Sequence, residues 1–170
     1  GLVSVGVVGE PHRLKPYGAT REERFDALVR ASGRMGELMG DAPRVRDISE
    51  IQGYACNVSS LTGPGYALLG NAGEFLDPVF SSGLTIALKS ASLAEGVLNR
   101  QLQDETVDWE SEFSKPLMQG VNAFRSYVNA WYDGLLPSIL FASSGGSDKI
   151  RKMITSILAG YAWDDSNPFV

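Results

Sequence analysis

The residues best suited to holding a ligand lie in one stretch, residues 63–91, where glycines and small polar residues separate apolar runs. Gly63-Pro64-Gly65 predicts a turn, and the apolar run Tyr66–Leu69 predicts a short buried strand. Gly70–Gly73 then predicts a tight bend, at which another group approaches the backbone closely. Such a bend is a common support for a bound ligand, and it is also a common plain connection.

A helix is predicted to begin shortly after this bend. Ser81 and Ser82 precede Gly83 and a long run of apolar residues at helical spacing. The first N–H groups of a helix lack partners within the helix and carry about half a positive charge, which suits an anion or an electron-rich carbonyl. From spacing alone, residues 63–91 fit a ligand cradle and an ordinary strand-loop-helix connection.

The residue types in this stretch are more specific than their spacing. The chain from position 70 to position 87 has the sequence Gly-Asn-Ala-Gly-Glu-Phe-Leu-Asp-Pro-Val-Phe-Ser-Ser-Gly-Leu-Thr-Ile-Ala. It resembles the second flavin-contacting motif of the flavin-dependent halogenases, usually Gly-Asp-Ala-Ala-Gly-Phe-Ile-Asp-Pro-Phe-Phe-Ser-Ser-Gly-Val. These enzymes belong to a larger group of FAD-dependent oxidoreductases and monooxygenases built on a glutathione-reductase-like FAD domain.

The resemblance implies which residues contact the cofactor FAD. Asn71 corresponds to the acidic residue that reaches the ribityl chain. Ser82 and Gly83 correspond to the residues whose amides face the isoalloxazine ring and, in a halogenase, the halide. Gly70 and Pro78 complete the expected cofactor-binding set, with no metal. No catalytic residue is predicted here, because the essential lysine of the family lies upstream.

Two positions depart from the usual motif. Asn71 stands where the family has an aspartate, so it can hydrogen-bond a hydroxyl group but adds no negative charge. Glu74 stands where a small residue is usual. These departures indicate a subgroup and leave open an FAD-dependent hydroxylase or saturase without a halide step. A non-catalytic helical interaction module, in which the glycine-rich stretch is only a connector, is the alternative from another class.

The resemblance also implies an activity. Enzymes of this group use reduced flavin and oxygen to halogenate or oxidise an organic substrate, which is aromatic or carrier-bound, and a flavin reductase or NAD(P)H supplies the electrons. The fingerprint Gly-x-Gly-x-x-Gly, which grips the FAD pyrophosphate, is absent from the 170 residues. In the family it lies upstream, so these residues are expected to be a C-terminal portion that is inactive alone.

Composition and charge exclude several other classes. The chain is 44% apolar and 21% charged, which is ordinary for a globular domain. A net charge of −5, without any block of Lys or Arg, argues against a nucleic-acid partner. The only cysteine is Cys56, expected to be a buried thiol, and the only histidine is His12, so an intrachain disulfide and a histidine metal cluster are excluded. No apolar run approaches the length of a membrane helix, and a cytoplasmic protein is expected.

An α+β fold is expected to position the site. Residues 1–103 are expected to be the C-terminal part of the glutathione-reductase-like FAD domain. The patterns predict, in chain order, a strand at Leu2–Val8, a loop at Glu10–Gly18, a helix at 20–40 with a capping box at Thr20 and Glu23, one or two strands within Val45–Val58, and the flavin-facing helix 82–103. The last of these is apolar nearly all round and is expected to be mostly buried.

Residues 104–170 are expected to form a mainly helical region. Beyond Pro116, apolar residues at helical spacing predict a long helix with an aromatic side. Its expected core residues are Leu117, Val121, Phe124, Val128 and Trp131. Pro137 is expected to interrupt the pattern, and Ser143–Ser147 to form a loop. A last helix is predicted from Ser147 or Asp148 to Leu158, with its apolar residues, including Ile150, inward. The tail after Gly160 is expected either to pack over the FAD domain or to fray.

Overall fold

The computed structural model describes residues 1–39, 41–141 and 148–170, which form two compact units, 1–52 and 53–170. The α+β class is confirmed as a mainly helical fold in which the strands of the described residues are two residues long. The helix end expected at Gly40 and the loop expected at Ser143–Ser147 lie outside the described residues. The domain boundary expected at residue 103 stays a prediction.

The unit of residues 1–52 is built on short helices. They are α1 (Pro11–Leu14), α2 (Arg21–Ala31) and α3 (Arg34–Met39), with a 3-10 turn at Lys15–Tyr17. The predicted capping box is present, because the Thr20 hydroxyl accepts the Glu23 N–H at 3.1 Å and the Glu23 carboxylate accepts the Thr20 N–H at 3.1 Å. The predicted helix 20–40 is divided, since Gly33 adopts a φ of +56° between α2 and α3.

Two other predictions for this unit are wrong. Leu2–Val8 forms no strand, and the side chains of Leu2 and Val3 are 83% and 68% exposed. A strand is stable only where a neighbour satisfies its backbone hydrogen bonds, and no strand in the described residues pairs with this stretch. The loop predicted at Glu10–Gly18 contains α1 and the 3-10 turn, because a proline is favourable at the first position of a helix.

The described part of the unit 53–170 contains two small antiparallel sheets. In one, β1 (Cys56–Asn57) pairs with β4 (Glu74–Phe75); in the other, β2 (Thr62–Gly63) pairs with β3 (Tyr66–Ala67). The predicted turn at Gly63-Pro64-Gly65 is confirmed, with Gly65 at a φ of +81°.

Two strand predictions and the expected burial of Cys56 need correction. Of the residues Val45–Val58 only those of β1 form a strand, and Cys56 is exposed because a two-stranded sheet leaves β1 with an uncovered face. The predicted buried strand Tyr66–Leu69 is limited to β3, and Tyr66 is 49% exposed. This stretch is one arm of a two-stranded hairpin, and Tyr66 lies on its exposed side.

Most of the remaining described residues of this unit lie in four α-helices. They are α4 (Gly83–Gln101), α5 (Lys115–Tyr132), α6 (Leu135–Leu140) and α7 (Asp148–Leu158), and a π-helical turn at Glu110–Ser114 leads into α5. The long helix predicted beyond Pro116 is confirmed as α5. Four of its expected core residues are buried: Leu117, Val121, Phe124 and Val128.

The helix predicted at 82–103 is present as α4, but its burial was predicted wrongly. That this helix faces the flavin stays a prediction. Ile86 and Val97 are buried on the side that faces α5 and the glycine bend, whereas Leu84 and Leu88 are 71% and 63% exposed. An apolar helix is buried all round only where other elements cover every side. Within the described part of unit 53–170, nothing covers the leucine side.

The last part of the chain is packed. Trp163 lies against Gly120 of α5, and its indole N–H donates to the Pro116 carbonyl at 2.9 Å. Asn167 donates to the Met153 carbonyl of α7 at 2.9 Å. The tail is therefore packed instead of frayed, through contacts with helices of the region 104–170. Packing over the FAD domain stays a prediction.

Two further expectations for α6 and α7 are wrong. Pro137 lies in the first turn of α6 instead of interrupting the helical pattern, since a proline there removes no helical hydrogen bond. Ile150 is 41% exposed because it lies in the first turn of α7, before that helix meets the core at Ile154 and Ile157. Among the described residues, no helix is long and apolar enough to cross a membrane.

Candidate functional site

The bend, residues 70–73, is a single turn held against α4. Gly70 is buried with a φ of +52°, and its N–H donates to the Ser90 hydroxyl of α4 at 2.9 Å. A Cβ atom on Gly70 would lie 3.1 Å from the Cβ of Ala87. The group that approaches the bend closely, as the sequence predicted, is therefore α4 itself.

The helix mouth, residues 81–84, is open. Ser81 adopts a left-handed φ of +54°, and Ser82 precedes α4 without capping it through its side chain. Ser82 is buried, but Gly83 and Leu84 are exposed. Because the Ser82 side chain accepts no hydrogen bond from the first-turn N–H groups of α4, these groups can donate to a group outside the chain.

The fold brings the bend and the mouth together at the surface. The side-chain oxygen of Asn71 lies 3.6 Å from the position that a Cβ on Gly83 would take, and both residues are exposed. Three predicted site residues, Asn71, Ser82 and Gly83, thus meet at one place. Gly70 is buried against α4. Pro78 is an exposed residue that begins the 3-10 turn at Pro78–Phe80.

Asp77 organises the turn that leads to the mouth. Its carboxylate accepts the Val79 N–H at 3.1 Å, the Tyr132 hydroxyl at 3.0 Å and the Tyr54 hydroxyl at 3.5 Å. Burial, and then the nearby Asp77 carboxylate, raise the pKa of Tyr54. The sequence reasoning did not find this group, although Asp77-Pro78 is a typical turn start and Tyr132 belongs to the aromatic side of α5.

Glu74 is a second group that the sequence reasoning did not resolve. Its side chain is 3% exposed, and its carboxylate forms an ion pair with Arg125 of α5 at 2.7 Å. Arg125 also donates to the Asn122 side chain at 2.5 Å. Burial raises the pKa of Glu74, and the Arg125 guanidinium opposes that rise. The signal in the sequence was an acidic residue at a position of the motif that is usually small.

Comparisons with known proteins show which proteins this chain is similar to. No protein-family model matches the chain. It is 25% identical over 161 residues to the 1H-pyrrole-2-carbonyl-[peptidyl-carrier protein] chlorinase of Pseudomonas fluorescens, covering 94% of this chain and 35% of that protein. It is 27% identical over 180 residues to the flavin-dependent halogenase gsfI of Penicillium aethiopicum, covering 99% of this chain and 34% of that protein. It is 32% identical to the tryptophan 2-halogenase of Chondromyces crocatus, covering 69% of this chain and 23% of that protein.

The homologues of this chain are flavin-dependent halogenases. The chain spans about a third of the length of the first two halogenases, 35% and 34%. A solved structure titled flavoprotein/dehydrogenase, from Cytophaga hutchinsonii, matches with a TM-score of 0.86 and 44% identity, covering 95% of this chain and 40% of that one. The resemblance on which the sequence reasoning depended is confirmed.

The two departures from the halogenase motif have different surroundings. Asn71 is exposed at the helix mouth, where its side chain can meet a ligand. Glu74 is buried and turned to Arg125, so it cannot meet one. Of the two, only Asn71 alters the surface of the candidate site. Among the described residues, no cluster of three His, Cys, Asp or Glu could hold a metal ion.

Proposed function

We propose that this chain is the flavin-facing portion of an FAD-dependent oxidoreductase of the halogenase group, and that in the longer protein it completes a glutathione-reductase-like FAD domain. The observation that carries the proposal is that the Asn71 side chain lies beside Gly83 at the open mouth of α4, and that both residues are exposed. Support comes from homologues that are flavin-dependent halogenases and from the fold shared with a flavoprotein.

Each site residue has a proposed part in holding the cofactor. The Asn71 amide hydrogen-bonds a ribityl hydroxyl, and the backbone amides of Ser82 and Gly83 face the isoalloxazine ring. Gly70 keeps the bend close to α4 so that Asn71 reaches the mouth, and Pro78 fixes the turn beneath it. When bound, FAD supplies the redox chemistry, and these residues supply its position and the dipoles around it.

The residues present fit a flat, electron-rich group at the mouth. The backbone at Gly83 is not left-handed, and a Cβ there would make only an ordinary contact with Asn71, at 3.6 Å. The packing of this chain therefore does not require a glycine at position 83. The absence of a side chain leaves the first turn of α4 accessible to a ring that lies against the backbone.

Halogenation of an aromatic or carrier-bound substrate is the activity that the relatives favour, since two of them are named for pyrrole bound to a peptidyl carrier and for tryptophan. In this proposal the Ser82 and Gly83 amides also bind the halide, because a single anion gains amide hydrogen bonds and the field of the helix. A flavin reductase or NAD(P)H provides the electrons.

A second candidate is an FAD-dependent hydroxylase or saturase without a halide step. It is favoured by the 44% identity to a chain titled flavoprotein/dehydrogenase, against 25–32% for the three halogenases compared above. The neutral Asn71, at a position that is acidic in the halogenase motif, favours it too.

Cofactor retention tests the shared part of both candidates. In the full-length protein, Asn71→Ala should weaken FAD binding by about two- to tenfold, the range that one lost hydrogen bond produces, and Asn71→Asp should preserve or strengthen it. The FAD content after gel filtration and the Kd from flavin fluorescence measure this. Asn99→Ala, an exposed asparagine near the far end of α4, is the matched control. If both Asn71 variants retain FAD as the parent does, Asn71 does not contact the cofactor.

Bromide separates the two candidates. Crystals of the FAD-bound protein soaked in bromide should show an anomalous peak within contact of the Ser82 and Gly83 amides if the enzyme is a halogenase. FAD bound at the mouth without such a peak supports the hydroxylase or saturase.

A further inference from the structure

Helix α5 holds the segment between the bend and the mouth at three points. Arg125 pairs with the Glu74 carboxylate at 2.7 Å, directly after the bend. One and a half to two turns later, Trp131 meets Phe80 edge to face with ring centroids 5.6 Å apart, and the Tyr132 hydroxyl donates to Asp77 at 3.0 Å. The last two contacts hold the turn that leads directly into the mouth.

The turn at 78–80 directly precedes Ser81, whose backbone conformation sets the direction of the Ser82 amide. The Ser82 N–H belongs to the peptide bond that follows Ser81, and Ser81 adopts a left-handed φ of +54° that non-glycine residues seldom take. Such a conformation persists only where the surrounding structure fixes it. On the chain just before Ser81, the fixed features are the Asp77 carboxylate, which accepts the Val79 N–H, and the Phe80 ring, which packs on Trp131.

We infer that Tyr132 is a positioning residue for the cofactor site, acting through Asp77 to set the direction of the Ser82 amide. This inference rests on the proposed function, since it gives a role to the amide that faces the isoalloxazine ring. Tyr132 acts without contacting the ring. It holds Asp77, Asp77 holds the turn, and the turn holds the left-handed Ser81.

Loss of the Tyr132 hydroxyl therefore has two expected consequences. FAD binding becomes weaker, because part of the binding energy is used to restore the orientation of the amide. The reduction potential of the bound flavin falls, because an amide dipole that stabilises negative charge on the reduced ring is less well aligned. A hydroxyl that only supports folding would lower the stability without shifting the potential.

The experiment uses the full-length protein with Tyr132→Phe. The Kd for FAD is expected to rise about three- to tenfold, within the range that one lost hydrogen bond produces, and the potential of the bound flavin to become more negative. Tyr161→Phe removes a hydroxyl from an exposed tyrosine and is the matched control, for which neither quantity should change. Thermal unfolding of each protein without FAD reports the purely structural effect.

A double-mutant cycle tests the route through Asp77. Asp77→Asn keeps the acceptor oxygen and should bind FAD nearly as the parent does, whereas Asp77→Ala should weaken binding at least as much as Tyr132→Phe. Adding Tyr132→Phe to Asp77→Ala should have no further effect if Tyr132 acts through Asp77.

The outcomes separate this inference from the proposed function. If the parent protein binds no FAD, the proposed function fails and the inference fails with it. If the parent binds FAD and Asn71→Ala weakens binding, but Tyr132→Phe leaves both the Kd and the potential unchanged, the positioning inference alone is overturned. A Tyr132→Phe effect that persists in full beside Asp77→Ala also overturns it.

Discussion

The bend and the helix mouth lie at the two ends of one segment. Each contains a glycine, and the reason for a glycine is different at the two places. At the bend, Gly70 takes a φ of +52° and faces Ala87 of α4, so both the backbone and the packing of this chain require it. At the mouth, Gly83 has an ordinary backbone, and a Cβ there would have room. The first glycine is explained within the chain, and the second is not.

This difference separates residues that fix the shape of the site through internal contacts from residues that are exposed to its ligand. A position whose side-chain size is fixed by internal contacts should affect stability when it is changed. A position that is free of internal constraint, exposed and part of a ligand-binding motif should affect binding and leave stability alone. Substitutions at four positions test this distinction, and the expected change in the free energy of unfolding decreases from the first to the last.

The largest effect is expected where the chain leaves the bend, at the Glu74–Arg125 ion pair. Arg125→Met leaves the buried Glu74 carboxylate without its cation, and removing one partner of a buried pair is strongly destabilising. We expect a loss of about 2–4 kcal/mol at pH 7, at the lower part of the usual range because Arg125 is one-third exposed. Urea denaturation measures it, and Arg125→Lys, which keeps the charge, should lose less.

This loss should depend on pH in a defined direction. The pKa of Glu74 is higher in the folded protein than its ordinary value of 4.5, so the folded state holds the proton more tightly and stability falls as the pH rises above that value. Arg125 opposes the rise in pKa, so its removal makes this dependence steeper. The destabilisation by Arg125→Met should therefore shrink toward pH 4. A loss that is equal at pH 4 and pH 7 would show that Glu74 is not the cause.

The next effect is expected at Gly70 itself. Gly70→Ala places a side chain at a left-handed φ and brings its Cβ to 3.1 Å from Ala87, so we expect a loss of about 1–3 kcal/mol. Gly96→Ala in α4 is the control, because no atom lies within 4 Å of its added Cβ and alanine favours a helix. It should be neutral or stabilising. If Gly70→Ala were as harmless as Gly96→Ala, the bend would not be constrained by α4.

The features that the sequence predicted are those that depend on neighbours in the chain. The capping box of Thr20 and Glu23, the Pro64-Gly65 turn and the buried face of α5 each follow from residues a few positions apart. The start of α4 directly after Ser82 was predicted for the same reason. Local geometry and helical periodicity were sufficient for these elements.

The features that the sequence did not predict depend on distant partners. Glu74 and Arg125 are 51 positions apart, and Asp77 and Tyr132 are 55 positions apart, so no local pattern relates them. The strand expected at Leu2–Val8 failed because strand formation needs a paired neighbour. The burial of α4 was predicted wrongly for the same reason, since periodicity shows that a helix is apolar but not which of its sides other elements cover.

A smaller loss of stability is expected at Ser90, the residue of α4 that accepts a hydrogen bond from the bend. Ser90 is fully buried, and its hydroxyl accepts the Gly70 N–H at 2.9 Å. Ser90→Ala leaves that buried N–H without an acceptor, which costs about 1–3 kcal/mol, less a few tenths because alanine is the better helix former. We expect a net loss of about 1–2 kcal/mol in denaturant unfolding. Ser92→Ala, on an exposed position of the same helix, should lose nothing, and a Ser90 variant that also loses nothing would contradict the hydrogen bond.

The smallest change in stability is expected at Gly83, and it tests the comparison most sharply. Gly83→Ala adds a methyl group at an exposed first-turn position with an ordinary backbone, so the free energy of unfolding should change by less than about 0.5 kcal/mol. In the full-length protein the same methyl group would stand between the α4 backbone and the flavin ring, so the Kd for FAD should rise about tenfold or more, comparable to a small overpacking penalty. Gly96→Ala should change neither binding nor, beyond a small gain, stability. Fluorescence titration with FAD, beside denaturation of the same samples, measures both quantities. If Gly83→Ala binds FAD as the parent does, the mouth of α4 does not face the ring. If it loses as much stability as Gly70→Ala, both glycines are required by contacts within the chain, and the distinction between residues that shape the site and residues exposed to its ligand fails.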